Sequence, residues 1–444
     1  MANMETQRPQ EQPDKNPFSP SFGTVPVALV GRDAIFADLH EGLEVGPTDV
    51  RFTSLILGLR GSGKTAMLTE IEERVARNGW VVISVDGVAD GLLDRVSEMI
   101  AQASRTYQTP GLDALSGARS TERERSVKVG FYHQAWIEKE IFYPNVNMGL
   151  RERLTLLAEV AQRADSGVLL TVDELHSANQ DEARRLASDV QHITKRSRLP
   201  LAFVGAGLLE MKYTVMEGHK NTFFKRIRRY DLPPLTHGDA LQGLRGPIHE
   251  MGGSIAKSAL RLAASCVDGS PYKLQLIGHT AWQVANAPTN EIDELSVDLA
   301  IESAENTMLH NISEPAFYDL SNNEQEYLIA LVTLGEKGTN SAIAQTTDTN
   351  ERTTRRIARR LDLAGYIVRD SRGVAALTGL VPASVIIKEA GLDIEDTNVA
   401  PYGCSSAGTV SLSAVAVRPC REWMPRSQAR CVLLLGHAGR CRSK

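Results

Sequence analysis

Gly58-Leu59-Arg60-Gly61-Ser62-Gly63-Lys64-Thr65 follows the apolar run Phe52-Thr53-Ser54-Leu55-Ile56-Leu57 and precedes the helix-prone Ala66-Met67-Leu68-Thr69-Glu70-Ile71-Glu72-Glu73. A strand that halts at a glycine-rich turn and resumes as a helix is the setting a phosphate-binding loop requires. Gly58, Gly61 and Gly63 let backbone N–H groups turn inward around oxygen anions, where a Cβ would obstruct them. The following helix adds its positive N-terminal end. The whole turn, with Leu59, Arg60 and Ser62, is therefore expected to bind nucleotide. Lys64 is placed to neutralise the β- and γ-phosphates, and Thr65 to complete a Mg²⁺ shell with its hydroxyl. A glycine-rich turn before a helix is also a common structural device; here strand, loop and helix agree.

A second stretch turns nucleotide binding into an expected ATPase, hydrolysing ATP to ADP and phosphate. Val168-Leu169-Leu170-Thr171-Val172-Asp173-Glu174 is a short apolar run ending in two carboxylates. That is how a buried parallel strand looks when its C-terminal tip meets a ligand crevice. Asp173 would orient water on Mg²⁺, and Glu174 would polarise the attacking water. The same acids also suit a polar strand end, or the N-cap and first turn of a helix starting near Leu175. Their place after a sound phosphate loop decides for the catalytic reading.

The chain has 444 residues, long enough for about two or three domains. Its composition, 42% apolar and 23% charged, is that of a soluble globular protein. A net charge of −5 excludes an overall nucleic-acid footprint, so any such binding must come from a local basic face. The sequence has no apolar run of membrane-spanning length and no signal-peptide segment, so a cytoplasmic protein without membrane contact is expected. Cys266 stands alone until Cys404, and the late cysteines lack C-x-x-C spacing, which indicates neither a zinc site nor a disulfide framework.

Residues 1–24 are polar and proline-rich and are expected to be disordered. Apolar runs then alternate with amphipathic stretches through 25–235, which implies a parallel sheet covered by helices on both faces. Residues from about Pro110 to Asn147, with the charged run Thr121-Glu122-Arg123-Glu124-Arg125, read as an inserted loop or a solvated helix. After Pro233-Pro234 the pattern is helical, giving a small all-helical domain over 236–312. Residues 316–388 show short helices followed by Tyr366-Ile367-Val368-Arg369, a Ser371-Arg372-Gly373 turn and Val374-Ala375-Ala376-Leu377. That is the order of a winged helix-turn-helix. The tail, 389–444, has no caps or sustained period and is expected to be disordered; a non-native terminus would look the same.

The helix expected over Glu351 to Leu363 carries Arg352, Arg355, Arg356, Arg359 and Arg360, spaced to gather guanidinium groups on one side. Thr354, Ile357, Ala358 and Leu361 would face the core. Arg369 and Arg372 would extend the basic strip onto the wing. Duplex DNA, held by its phosphates and in part by base edges, is the expected partner. The other reading is a solvated face on a protein-docking winged helix.

With these motifs in place, Val25 to Lys388 resembles the AAA+ ATPases of the origin-recognition and archaeal-type branch that carry a C-terminal winged helix. Val30-Gly31-Arg32-Asp33 is similar to the Gly-Arg-Asp/Glu segment that packs near adenine in that branch. The resemblance implies ATP and Mg²⁺ at a base–lid junction, a polar sensor on the fourth strand, a sensor in the lid, and an arginine reaching a neighbouring subunit. Val204-Gly205-Ala206-Gly207 offers no polar sensor, and Gly269-Ser270-Pro271-Tyr272-Lys273 offers Lys273 where an arginine is usual. Both departures imply a slow switch rather than a motor. Arg226, in Phe223-Phe224-Lys225-Arg226-Ile227-Arg228-Arg229, is the expected arginine finger, with an ordinary basic helix end as its alternative. A homo-oligomer or a protein partner is thereby implied. A signalling switch using ATP structurally, and a transposon or phage accessory ATPase, share the same parts.

Overall fold

The computed structural model of the chain describes residues 16–21, 29–106, 119–129, 132–142, 148–211 and 222–392, together with 405–406 and 418–419. Its strands, in chain order, are β1 (Thr53–Leu57), β2 (Val81–Asp86), β3 (Arg119–Val129), β4 (Tyr132–Phe142), β5 (Val168–Asp173), β6 (Leu201–Gly207), β7 (Arg228–Asp231), β8 (Lys337–Thr339), β9 (Ile367–Arg369) and β10 (Val374–Leu377). Five of them form a parallel sheet in the order β2-β5-β6-β1-β7. Its inner strands β5, β6 and β1 are buried almost throughout, whereas the outer strands β2 and β7 alternate or lie exposed. Continuous apolar runs such as Ser54-Leu55-Ile56-Leu57 are therefore what the inner positions demand, since both faces are covered. Helices Leu92–Thr106, Leu150–Arg163 and Gln180–Gln191 flank the sheet and close one core around Leu57, Ile83, Leu170, Leu186 and Phe203.

Residues 119–142 correct the sequence expectation of a loop or solvated helix. They form an antiparallel hairpin in which Arg119 lies opposite Phe142 and Val129 opposite Tyr132. The charged run sits on β3, where unbroken charge hides the apolar alternation that marks a strand.

The chain groups into two compact units, one formed by residues within Met1–Asp33, Gly58–Ala66 and Leu232–Lys444, the other by Ala34–Leu57 and Met67–Asp231. The first contains two further cores. Helices His237–Glu250, Lys257–Ser265, Pro271–Ala285 and Glu294–Met308 enclose Leu244, Ile277, Trp282 and Ile301. Phe18 belongs to this core at 2% exposure, so the expected disorder of 1–24 does not extend to residues 16–21. Asn16 donates to the His279 carbonyl at 3.0 Å and the Ser19 N–H to Gln275 Oε1 at 3.1 Å. Gly278 makes the docking feasible, because a Cβ there would lie 2.5 Å from the Phe18 ring.

The other core, around Leu328, Leu331, Ile357, Leu361 and Ile386, belongs to residues 314–392. Here the order is helix Asn322–Thr333, β8, helix Asn340–Thr346, helix Glu351–Ala364, β9, β10 and helix Ala383–Ala390. β10 lies between β8 and β9 and is antiparallel to both. Beyond Leu392 only the paired dipeptides Ser405–Ser406 and Arg418–Pro419 are described, so the expectation for the rest of the tail lies outside the described residues. Among the described residues no helix is long and apolar enough to cross a membrane.

Candidate nucleotide-binding site

β1 hands over directly to the glycine-rich loop, and helix Lys64–Arg77 begins at its end. Gly61 and Gly63 adopt φ of +71° and +86° with Ser62 between them. Left-handed glycines alternating with ordinary residues turn successive N–H groups to the same side, which makes a concavity for anions. Gly58 serves closeness rather than handedness, since a Cβ there would fall 2.3 Å from Ser62 Oγ. The Ser62 N–H donates to the Leu59 carbonyl at 3.2 Å and tightens the turn. The Ser62 hydroxyl is buried with no hydrogen-bond partner among the described residues, an unsatisfied group that a phosphate oxygen suits.

Lys64 is 6% exposed, and its ammonium donates to the carbonyls of Leu59 at 3.0 Å and Gly58 at 3.5 Å. A phosphate oxygen is a stronger acceptor for this ammonium than either carbonyl. Arg32, from the Gly31-Arg32-Asp33 segment, is 4% exposed and reaches the Ser62 carbonyl at 3.3 Å. Burial lowers its pKa from the ordinary arginine value, and the nearby Asp239 opposes that. This support of the loop by Arg32 was not foreseen, although the segment itself stood out.

The carboxylates lie where expected at the end of β5, on the sheet edge where the parallel strands have their C-termini. Glu174 adopts a left-handed conformation with φ 46° and ψ 33°, uncommon for a residue with a side chain. Its N–H donates to Asp173 Oδ1 at 2.7 Å, which fixes that carboxylate against the turn. Gly87 is pressed against the same turn: its N–H donates to the Asp173 carbonyl at 2.7 Å, and a Cβ would lie 2.4 Å from the Glu174 carbonyl oxygen. His176, which sequence reasoning passed over, places Nε2 3.2 Å from Glu174 Oε2. Its position two residues beyond the glutamate in Asp173-Glu174-Leu175-His176 was the only hint.

The end of β6 is apolar, as the sequence indicated. A Cβ at Gly205 would lie 2.8 Å from Leu55 Cδ2, and one at Gly207 would meet Met211 Sδ at 2.1 Å. A side chain at either glycine would displace these apolar neighbours.

Lys273, the expected lid sensor, is tied to acids of its own unit. Its ammonium is buried and pairs with Asp268 Oδ2 at 2.5 Å, with Glu305 at 3.8 Å. Burial alone would lower its pKa, but these acids outweigh that and raise it. The charge is thus paired inside the helical core. The segment before it does approach the loop: a Cβ on Gly61 would lie 3.5 Å from Tyr272 Cβ and 3.7 Å from Ser270 Oγ.

Arg226 ends the short helix Thr222–Arg226 just before β7 and is exposed. Arg352, Arg355, Arg356, Arg359 and Arg360 are all exposed on helix Glu351–Ala364, while Thr354, Ile357, Ala358 and Leu361 are buried. Arg355 pairs with Glu351 at 2.8 Å, Arg360 with Glu324 at 3.1 Å and Arg372 with Asp370 at 3.3 Å. Arg369 is turned toward Asp362 at 2.7 Å.

Among the described residues no cluster of three or more His, Cys, Asp or Glu could hold a metal by itself. A Mg²⁺ ion bound largely by phosphate oxygens and water needs no such cluster.

No protein-family model matches the sequence, and no curated protein matches it. Solved structures do resemble it. The Walker-type ATPase paby2304 of Pyrococcus abyssi aligns with a TM-score of 0.55 at 16% identity, over 81% of this chain and 96% of its own. The Aeropyrum pernix ORC2 protein, in its ADPNP–ADP complexes, aligns at 0.57 and 16%, over 83% and 95%. The fold is therefore α/β, a five-stranded parallel sheet flanked by helices that these two structures share.

Proposed function

We propose that the chain is an ATP-binding ATPase that works as a slow, nucleotide-dependent switch coupled to duplex DNA through a C-terminal winged helix. The observation that carries the nucleotide half is the loop itself, with its two left-handed glycines, its Ser62 hydroxyl without a partner among the described residues and the Lys64 ammonium resting on carbonyls. The A. pernix structure is described as a complex with ADPNP and ADP, which supports a nucleotide on this fold. In this reading Lys64 and the loop N–H groups take the phosphates, and Thr65 and Asp173 serve Mg²⁺, which would offset phosphate charge when bound. Glu174 is the base for water, and His176 orients it. The residue packing around Gly205 and Gly207 and the inward pairing of Lys273 favour slow turnover.

Residues 236–312 would act as the lid, 316–388 as the winged helix, and Arg226 as the finger that a second copy of the chain receives. A cytoplasmic setting suits this reading. A protein-docking winged helix is the second reading, favoured by the pairing of Arg355, Arg360 and Arg372 with acids of the same unit.

Calorimetry with ATP and Mg²⁺ tests the assignment. Lys64→Ala removes the main counter-charge and is expected to lose at least about tenfold in affinity, or about 1.4 kcal/mol. Equal affinity in the two proteins would refute it.

A further inference from the structure

Two side chains of the phosphate loop are engaged by the C-terminal helices of the same compact unit. The Arg60 guanidinium donates from Nη2 to Asp319 Oδ2, and Asp319 is the residue that closes helix Glu314–Tyr318. Leu59 rests on Gly365, the residue with φ +82° that ends the arginine-bearing helix Glu351–Ala364. The fit is so close that a Cβ on Gly365 would lie 2.1 Å from Leu59 Cδ2. One polar pair and one apolar seat thus tie consecutive loop residues to two different helices.

The peptide joining Leu59 to Arg60 carries both anchors, and its oxygen is the carbonyl that receives the Lys64 ammonium at 3.0 Å. A phosphate bound in the loop draws that ammonium away from the carbonyl, because a charged acceptor is the stronger one. The Leu59 carbonyl then keeps the Ser62 N–H bond at 3.2 Å but loses its charged donor, and any rotation of the more weakly held peptide moves the Leu59 and Arg60 side chains together. The Arg60 Nε is buried and has no partner among the described residues, so the present arrangement leaves this guanidinium incompletely satisfied. Such a group tolerates rearrangement at low cost.

We infer that the Leu59–Arg60 peptide reports phosphate occupancy to helix Glu351–Ala364, through Leu59 on Gly365 and Arg60 on Asp319. The inference rests on the nucleotide reading above and adds a route for its coupling. Reciprocity follows: whatever ligand stabilises one position of the C-terminal helices shifts nucleotide affinity by the same factor.

Hydrogen exchange with mass spectrometry on the full chain, with and without Mg²⁺-ADPNP, reads the coupling in peptides covering Glu314–Tyr318 and Glu351–Ala364. ADPNP is expected to change exchange there by at least about twofold in the wild type. Asp319→Asn, which keeps shape and loses charge, should still bind ADPNP by calorimetry yet, at saturating ADPNP, lose at least about half of that change, while Asp319→Glu retains it. Leu59→Ala, which removes the apolar seat, should also diminish it. No calorimetric binding of ADPNP by the wild type overturns the nucleotide reading, and the coupling falls with it. Binding with unaltered exchange in both peptides, or a change that survives in full in Asp319→Asn and Leu59→Ala, overturns the coupling alone.

Discussion

At position 72 a carboxyl group is held partly buried beside the sheet, near Asp86 and Asp173. Thr171 Oγ1 donates to its Oε1, and Ser84 Oγ donates to the same oxygen at 2.8 Å. Burial is the largest influence and raises the Glu72 pKa; the two neighbouring acids add to it, and the hydroxyl bonds oppose it. A carboxyl whose folded pKa lies above its unfolded one stabilises the fold fully only below the unfolded value, and loses that contribution as pH rises through the folded value. Glu72→Gln keeps an acceptor for both hydroxyls and removes the desolvated charge. The variant should be more stable than wild type at neutral pH, with the gain vanishing below about pH 4. Urea unfolding at both pH values measures this, and a variant less stable at neutral pH would contradict the sign. Glu174 poses the opposite case, a carboxylate kept 45% exposed and bonded to His176. Glu174→Gln should bind Mg²⁺-ATP normally and hydrolyse it about a hundredfold or more slowly. If wild type shows no hydrolysis above this variant, Glu174 has no catalytic role and ATP serves as a structural ligand.

At the scale of elements, what the sequence disclosed depended on whether burial leaves a mark on residue type. The inner strands announced themselves because covering both faces demands runs such as Leu55-Ile56-Leu57 and Leu201-Ala202-Phe203-Val204. Helix Glu351–Ala364 was equally legible, since Thr354, Ile357, Ala358 and Leu361 recur at helical spacing and are the residues buried. The β3–β4 hairpin was not, because its middle is charged. The partners of Lys273, Asp268 and Glu305, were also illegible, because tertiary packing brings them together. Asn350 shows a local signal that can be tested alone. Its side chain accepts from the Thr353 N–H at 2.8 Å and so satisfies one of the free donors at the helix start. Asn350→Ala should cost about 1 kcal/mol. Thermal unfolding would show it as a small drop in midpoint; an unchanged midpoint means the cap contributes nothing measurable.

Over the whole molecule the decisive quantity is how charge is distributed. A chain of net charge −5 repels DNA at long range, so binding must be won locally by arginines not already neutralised. Position alone suggested five equivalent guanidinium groups on helix Glu351–Ala364, but the ion pairs divide them. Arg355 and Arg360 are held by Glu351 and Glu324, whereas Arg352 and Arg356 have no acidic partner within 4.0 Å among the described residues. A paired arginine must give up its acid before it can release a counterion from phosphate, so the unpaired ones should carry most of the salt dependence. Replacing both Arg352 and Arg356 with Ala should therefore lower the salt slope of duplex binding by roughly two units, and Arg372→Ala should lower it by less. Fluorescence titration of a short duplex at several salt concentrations, with and without Mg²⁺-ATP, gives these slopes directly. Equal slopes for wild type and the double variant would show that the arginine face is only solvated. Absence of duplex binding by the wild type in both nucleotide states would leave the winged helix as a protein-docking surface, whose affinity should be far less sensitive to salt.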